Sequence, residues 1–239
     1  MEAILHHFAT LVPPPQRLPM LNHFVFRYVE KTIEQALVQK LARVITGLKS
    51  AQLLVDHGYF QEQGAIHRML DEFEQDITFL SFAVINNDLT ELHKEYLEEF
   101  YKEEFDNPSD PLLSTQKRSM TPRKKIIAYI ARAQAEVQEP SRGVELTRIL
   151  NKAYSGYIHG ASFHIMQLYG GRQPHFHVSG MLGTPHEKAF RKDIWNYYYR
   201  GLLSFELVAY VFGEHKIASD LMSISINMAK NAGKNYRDE

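Results

Sequence analysis

Two pairs of polar residues in the chain have the spacing that chemistry on a helix needs. Arg68 and Glu72 are four residues apart, as are Ser155 and His159, so each pair shares one helix face. If those faces met, His159 would be a general acid/base oriented by Glu72, with Ser155 beside it and Arg68 as a clamp for an anion or phosphate. The competing reading is architectural: a satisfied buried network that fixes the register of two helices. A third candidate is His175-Phe-His177. An extended His-x-His puts both imidazoles on one side of the chain, where they can bind a divalent metal, with His164, His186 or an acid as the third ligand. No cofactor is expected. Nothing resembles a P-loop, a dinucleotide fingerprint or a nucleophile elbow, and the paired Glu-x-x-His of a di-iron bundle is absent.

These residues need helices to hold them. Arg68 and Glu72 fall in a helix expected over 61–85, whose stripe is Ile66, Met69, Leu70, Phe73, Ile77, Leu80 and Val84, with Arg68, Glu72 and Asp76 opposite. Ser155 and His159 fall in a central helix expected over 144–168. Residues 153–171 carry no Lys, Arg, Asp or Glu, but Ser155, His159, Ser162, His164 and Gln167 make the run too polar for lipid. Gly156 and Gly160 would mark a close helix crossing, because mid-helix glycine costs about 1 kcal/mol relative to alanine. Further helices are expected over 24–55, from an Asp88 cap to 105, from Thr121-Pro122, from Thr184-Pro185 to Gly213, and over 216–232.

Composition bounds the rest. The chain has 239 residues, a formal charge of −1, 44% hydrophobic residues and no cysteine. Disulfides, thiol nucleophiles, Cys-ligated zinc and iron–sulfur clusters are excluded, and near-neutral charge removes the general argument for a nucleic-acid or membrane coat. The N-terminus lacks the basic region and apolar run of a signal peptide, so a cytoplasmic protein without a membrane partner is expected. Four prolines between 13 and 19 predict an extended arm over 1–21. One helical domain over 22–239 follows, with a flexible loop near 106–121. Eight acids and two lysines between Asp88 and Asp106 read as a solvated face, offset by the basic stretch from Lys117 to Arg132. The fold class is all-α, a helical bundle.

His67-Arg-Met-Leu-Asp-Glu-Phe-Glu74, followed by Tyr154-Ser-Gly-Tyr-Ile-His-Gly160, resembles the pattern of an uncharacterised bacterial helical family, often considered HEPN-like, over approximately residues 25–215. The resemblance implies a HEPN-like protein that acts by binding or assembly, with a protein partner or as a homo-oligomer, in a bacterial stress or phage-defence setting. Its alternative is a metal-independent ribonuclease acting on RNA through His159. HEPN nucleases carry Arg-x(4–6)-His, and this chain departs from it, since Arg148 is too far from His159. Arg172 to His177 fits the spacing but crosses Pro174, and Arg17 to His23 fits across Pro19.

Overall fold

The computed structural model describes residues 1–116, 120–134 and 154–234, and the chain is mostly helical there. In order come α1 (Glu2–Thr10), strands β1 (Gln16–Met20) and β2 (His23–Arg27), α2 (Ile33–Asp56), α3 (Phe60–Ile85), α4 (Glu91–Tyr101) and α5 (Arg123–Ala133). Then follow helical residues 154–158 (α6), α7 (Ser162–Ile165), the two-residue strands β3 (Tyr169–Gly170) and β4 (His175–Phe176), α8 (Glu187–Val211) and α9 (His215–Asn231). The helical bundle is centred on α2, α3 and α8, with α9 against α8, α5 against α3 and α1 against α2.

The α2 helix starts at a capping box, in which Thr32 Oγ1 accepts from Gln35 N and Gln35 Oε1 accepts from Thr32 N, both at 3.2 Å. Ile33, Leu37, Leu41, Val44 and Leu48 are buried on its inner face, against Leu70, Ile77 and Leu80 of α3 and Phe205 and Val208 of α8 in the common core, while Ala51 and Val55 join a second cluster with Phe60, Phe190 and Ile194. Two glycines let these helices approach. A Cβ on Gly47 would lie 2.7 Å from Leu70 Cδ2, and one on Gly201 would lie 2.9 Å from Leu48 Cδ1.

The N-terminal expectation is corrected. Residues 2–10 are helical, not an extended arm; Phe8 is fully buried and stacks on Phe212 at 5.0 Å. The prolines act only locally: Pro13-Pro14-Pro15 connects α1 to the hairpin, and Pro19 pairs with Phe24 in a two-stranded ribbon where every strand is an edge. The helix expected from residue 24 therefore begins at 33, because β2 occupies 23–27.

Three other boundaries move for identifiable reasons. Thr90, not Asp88, caps α4, because His93 at the third helical position turns back to accept from Thr90 N at 3.1 Å. Thr184 does not cap α8; its hydroxyl donates to Met181 O at 2.7 Å, and α8 begins at Glu187. Residues 144–153 of the expected central helix lie outside the described residues, and its described part ends at 158. Gly160 takes φ +60° and Ala161 N donates to Gly156 O at 3.0 Å, a Schellman-type stop. Neither glycine there meets a crossing helix. The His164 ring covers Gly156, and a Cβ on Gly160 would find only Ile165 Cδ1, at 3.7 Å. Among the described residues, no helix is long and apolar enough to cross a membrane.

Phe8 distinguishes a core element from an arm. Phe8→Ala should destabilise the chain by about 3–5 kcal/mol in urea unfolding; a variant with an unchanged midpoint would return residues 2–10 to a peripheral role.

Candidate functional site

Arg68 and Glu72 do meet, at 2.8 Å, but their other neighbours come from α2 and α5 and not from the Ser155/His159 helix. Arg123 of α5 lies 3.8 Å from Glu72 and chelates Asp76, which also accepts from Lys40 of α2 at 2.7 Å. Asp76, expected opposite the apolar stripe of its helix, is only 1% exposed. Burial alone would raise its carboxyl, but Lys40 and Arg123 outweigh that and hold it below its ordinary range. The Arg123 guanidinium thus offsets acids of α3, where the sequence suggested α4. His159 stands exposed where α6 ends, and Ser155 is half-buried. Among the described residues no hydrogen bond or ion pair joins Arg68 or Glu72 to Ser155 or His159, so Glu72 does not orient a His159 base.

The polar network that does form lies between α3 and α8. Gln63, His67, Asp71 and Glu74 are buried along one side of α3, and Asp193, Tyr197 and Arg200 face them from α8 at spacings of four and three residues, which keeps them on one stripe. Arg200 Nη1 bonds Asp71 Oδ1 at 2.8 Å while Nη2 pairs with Glu74. Tyr197 donates its hydroxyl to Asp71 at 3.0 Å and stacks its ring on His67 at 3.8 Å. Tyr154 of α6 donates to Asp193 at 2.8 Å and packs edge-on against His67.

Burial sets the protonation of this seam. Desolvation, helped by the Arg200 charge, lowers His67 to about 3, so its ring is neutral and closed in by aromatic faces, unsuited to proton transfer near neutral pH. Gln63 donates its amide N–H to Phe190 O at 3.0 Å and meets His67 Nε2 at 3.4 Å; that assigns the ring proton to Nδ1, which has no partner. Desolvation also raises Asp71, against the pull of Arg200 and Tyr197. Glu74 is raised furthest, to about 7, by burial opposed by Arg200 and reinforced by Asp71.

Glu74 and Arg200 stand at the edge of a groove of about 540 Å³ between α3, α5 and α8, whose apolar walls are Phe82, Ile127, Ile130, Leu203 and Leu207. Glu74 is 6% exposed, and its Oε1 has no hydrogen-bond partner. An apolar trough with a few convergent polar groups and a displaced titration is the usual form of a small-molecule site. No family model matches the chain, and no curated protein or solved structure matches it.

The proposed metal ligands are not completed. His175 and His177 sit with ring centroids 4.4 Å apart, and His175 Nδ1 is engaged with Gln173 O at 2.8 Å. Among the described residues no group of three or more His, Cys, Asp or Glu could hold an ion, so neither His164, His186 nor an acid supplies the third position. Along α8, Trp195 and Tyr199 stack at 5.4 Å and Tyr197 and Tyr199 are buried, so these aromatic side chains pack within the fold.

Glu74 can be isolated by pH. Its proton is held more tightly in the fold, at about 7, than at the ordinary 4.5, so its contribution to stability is fully present below pH about 4.5 and lost as pH rises towards about 7. Between pH about 5 and about 8 the native chain should lose on the order of 2–3 kcal/mol more than Glu74→Gln. Parallel profiles of urea midpoint against pH for the two proteins would refute a buried, proton-holding Glu74.

Proposed function

We propose that the chain is a binding protein whose ligand occupies the groove between α3, α5 and α8. The observation that carries this reading is Glu74, a buried carboxyl with an unmatched oxygen at the edge of an apolar trough large enough for a small organic molecule. Leaving such an oxygen without a donor costs about 1–3 kcal/mol, and a bound ligand would offset that cost. A HEPN-like, cytoplasmic binding or assembly protein in a bacterial stress or defence setting, with a protein partner or a second copy, belongs to the same proposal and rests on the two short motifs. The ribonuclease alternative draws less support: His159 is exposed and unoriented, and His67 is an uncharged imidazole sealed among aromatic rings at neutral pH.

A neutral fluorescent probe, N-phenyl-1-naphthylamine, should bind the wild-type chain. Leu203→Trp, which fills the groove from a half-buried wall position, should weaken it at least about tenfold, the effect of roughly 1.4 kcal/mol. Val178→Trp, at a position 76% exposed outside the groove, should not. Equal binding by all three proteins removes the groove from the reading. In the same preparations no chelator-resistant cleavage of single-stranded RNA is expected; cleavage that disappears in His159→Ala would establish the nuclease instead.

A further inference from the structure

The charges around Glu74 say what kind of molecule the groove should take; this step rests on the groove being a ligand site. From α3, Asp71 lies behind Glu74 and Gln75 beside it; from α8 come Arg200 and, farther along the wall, Glu206; α5 contributes Ile127, Ile130, Ala131 and Gln134, none of them charged. Among the described residues Arg200 is the cation paired directly with the two buried acids, Nη1 with Asp71 and Nη2 with Glu74, while Arg68 also draws on Asp71 from farther along α3. Its guanidinium also lies 4.8 Å over the Tyr197 ring. With both carboxylates ionised the triad carries a net charge of −1, and buried charge is tolerated only when balanced. A proton on Glu74 is one way to balance it. A cation in the groove is the other.

An anion is poorly served here. It would have to approach two carboxylates to reach an arginine already ion-paired with both, and like charges brought together in a low-dielectric pocket repel strongly. A neutral donor could satisfy Oε1 but would leave the net charge. An ammonium does both, because its N–H groups are donors only and its charge matches the deficit.

We infer that the ligand class is an amphipathic organic cation, an amine on an apolar body, whose ammonium lies against Glu74 while the body runs along Phe82, Ile130, Leu203 and Leu207. Binding then competes with the proton on Glu74. Affinity for an amine should rise with pH through about 7, whereas affinity for a neutral molecule of the same shape should not.

Displacement of N-phenyl-1-naphthylamine by hexylamine, hexanol and hexanoate tests this on the wild-type chain at pH about 6 and about 8. Hexylamine, charged at both pH values, should displace the probe best at the higher pH, at least about tenfold more effectively than hexanol, and the advantage should shrink at the lower pH. In Glu74→Gln, hexylamine and hexanol should become equivalent. If hexanol or hexanoate displaces the probe as well as hexylamine, or if none of the three displaces a probe that does bind, the cation inference is overturned and the groove reading stands. If the probe itself fails to bind the wild-type chain, both fall together.

Discussion

Arg200 crosses from α8 to two carboxylates of α3, and the contact face between these two helices is organised by that single guanidinium. Asp71 and Glu74 are three residues apart on a buried stripe, where two ionised acids without a cation would repel each other in a medium that screens poorly. The planar fork of an arginine can address both at once, which a lysine cannot. Register follows from it. Sliding α8 by one turn would strand all three charges, and breaking such a set by losing one member typically costs about 3–5 kcal/mol, as much as truncating a large buried aromatic. Tyr197, one turn earlier on α8, adds a hydroxyl to Asp71 and a ring to His67, so the seam is fixed in rotation as well as in translation.

The charged groups of α3 are divided into two sets with opposite balance. Asp76 and Glu72 are served by Lys40, Arg68 and Arg123, three cations for two acids. Among the described residues Asp71 and Glu74 are paired directly with Arg200, and Asp71 also feels Arg68. Burial penalises both buried carboxylates, yet Asp76 falls below its ordinary value and Glu74 rises above it. The difference is the local count of neighbours and not the depth of the site. The first set has cations in excess and reads as structure. In the second, the direct pairs leave one carboxylate charge unmatched, and on that imbalance rests the proposal of a ligand in the adjoining groove.

The parts of the fold legible in the sequence were those governed by periodicity. The stripe from Ile66 to Val84 and the helix expected over 24–55 placed the C-terminal ends of α3 and α2 to within a residue, since the apolar period continues into the core up to those ends. What escaped were features decided by partners distant in sequence. Phe8 counts as a core residue only because Phe212 is there to stack on it. Gly160 looked like a packing glycine because the surrounding run is uncharged, whereas its positive φ makes it a helix stop. The motif from His67 to Glu74 was singled out, but attention fell on Arg68 and Glu72. The residues that meet α8 are the alternate set His67, Asp71 and Glu74, and only the matching stripe of Asp193, Tyr197 and Arg200 could have revealed it.

His67 and Glu74 also act in opposite directions on acid stability, for one shared reason. Both are kept neutral by burial, the histidine by losing its proton and the acid by retaining it. The histidine must take up a proton on unfolding at low pH, so its contribution is full above pH about 6.5 and is lost as pH falls towards about 3. The glutamic acid does the reverse between about 4.5 and about 7. Over the interval where both operate their slopes oppose, and the seam changes little in stability. Below about pH 4.5 His67 titrates without Glu74 to oppose it, and above about pH 6.5 Glu74 titrates without His67, so the seam weakens at both ends. The upper end is the interval in which a cation delivered from the groove could replace the departing proton, and in which binding and stability become the same equilibrium.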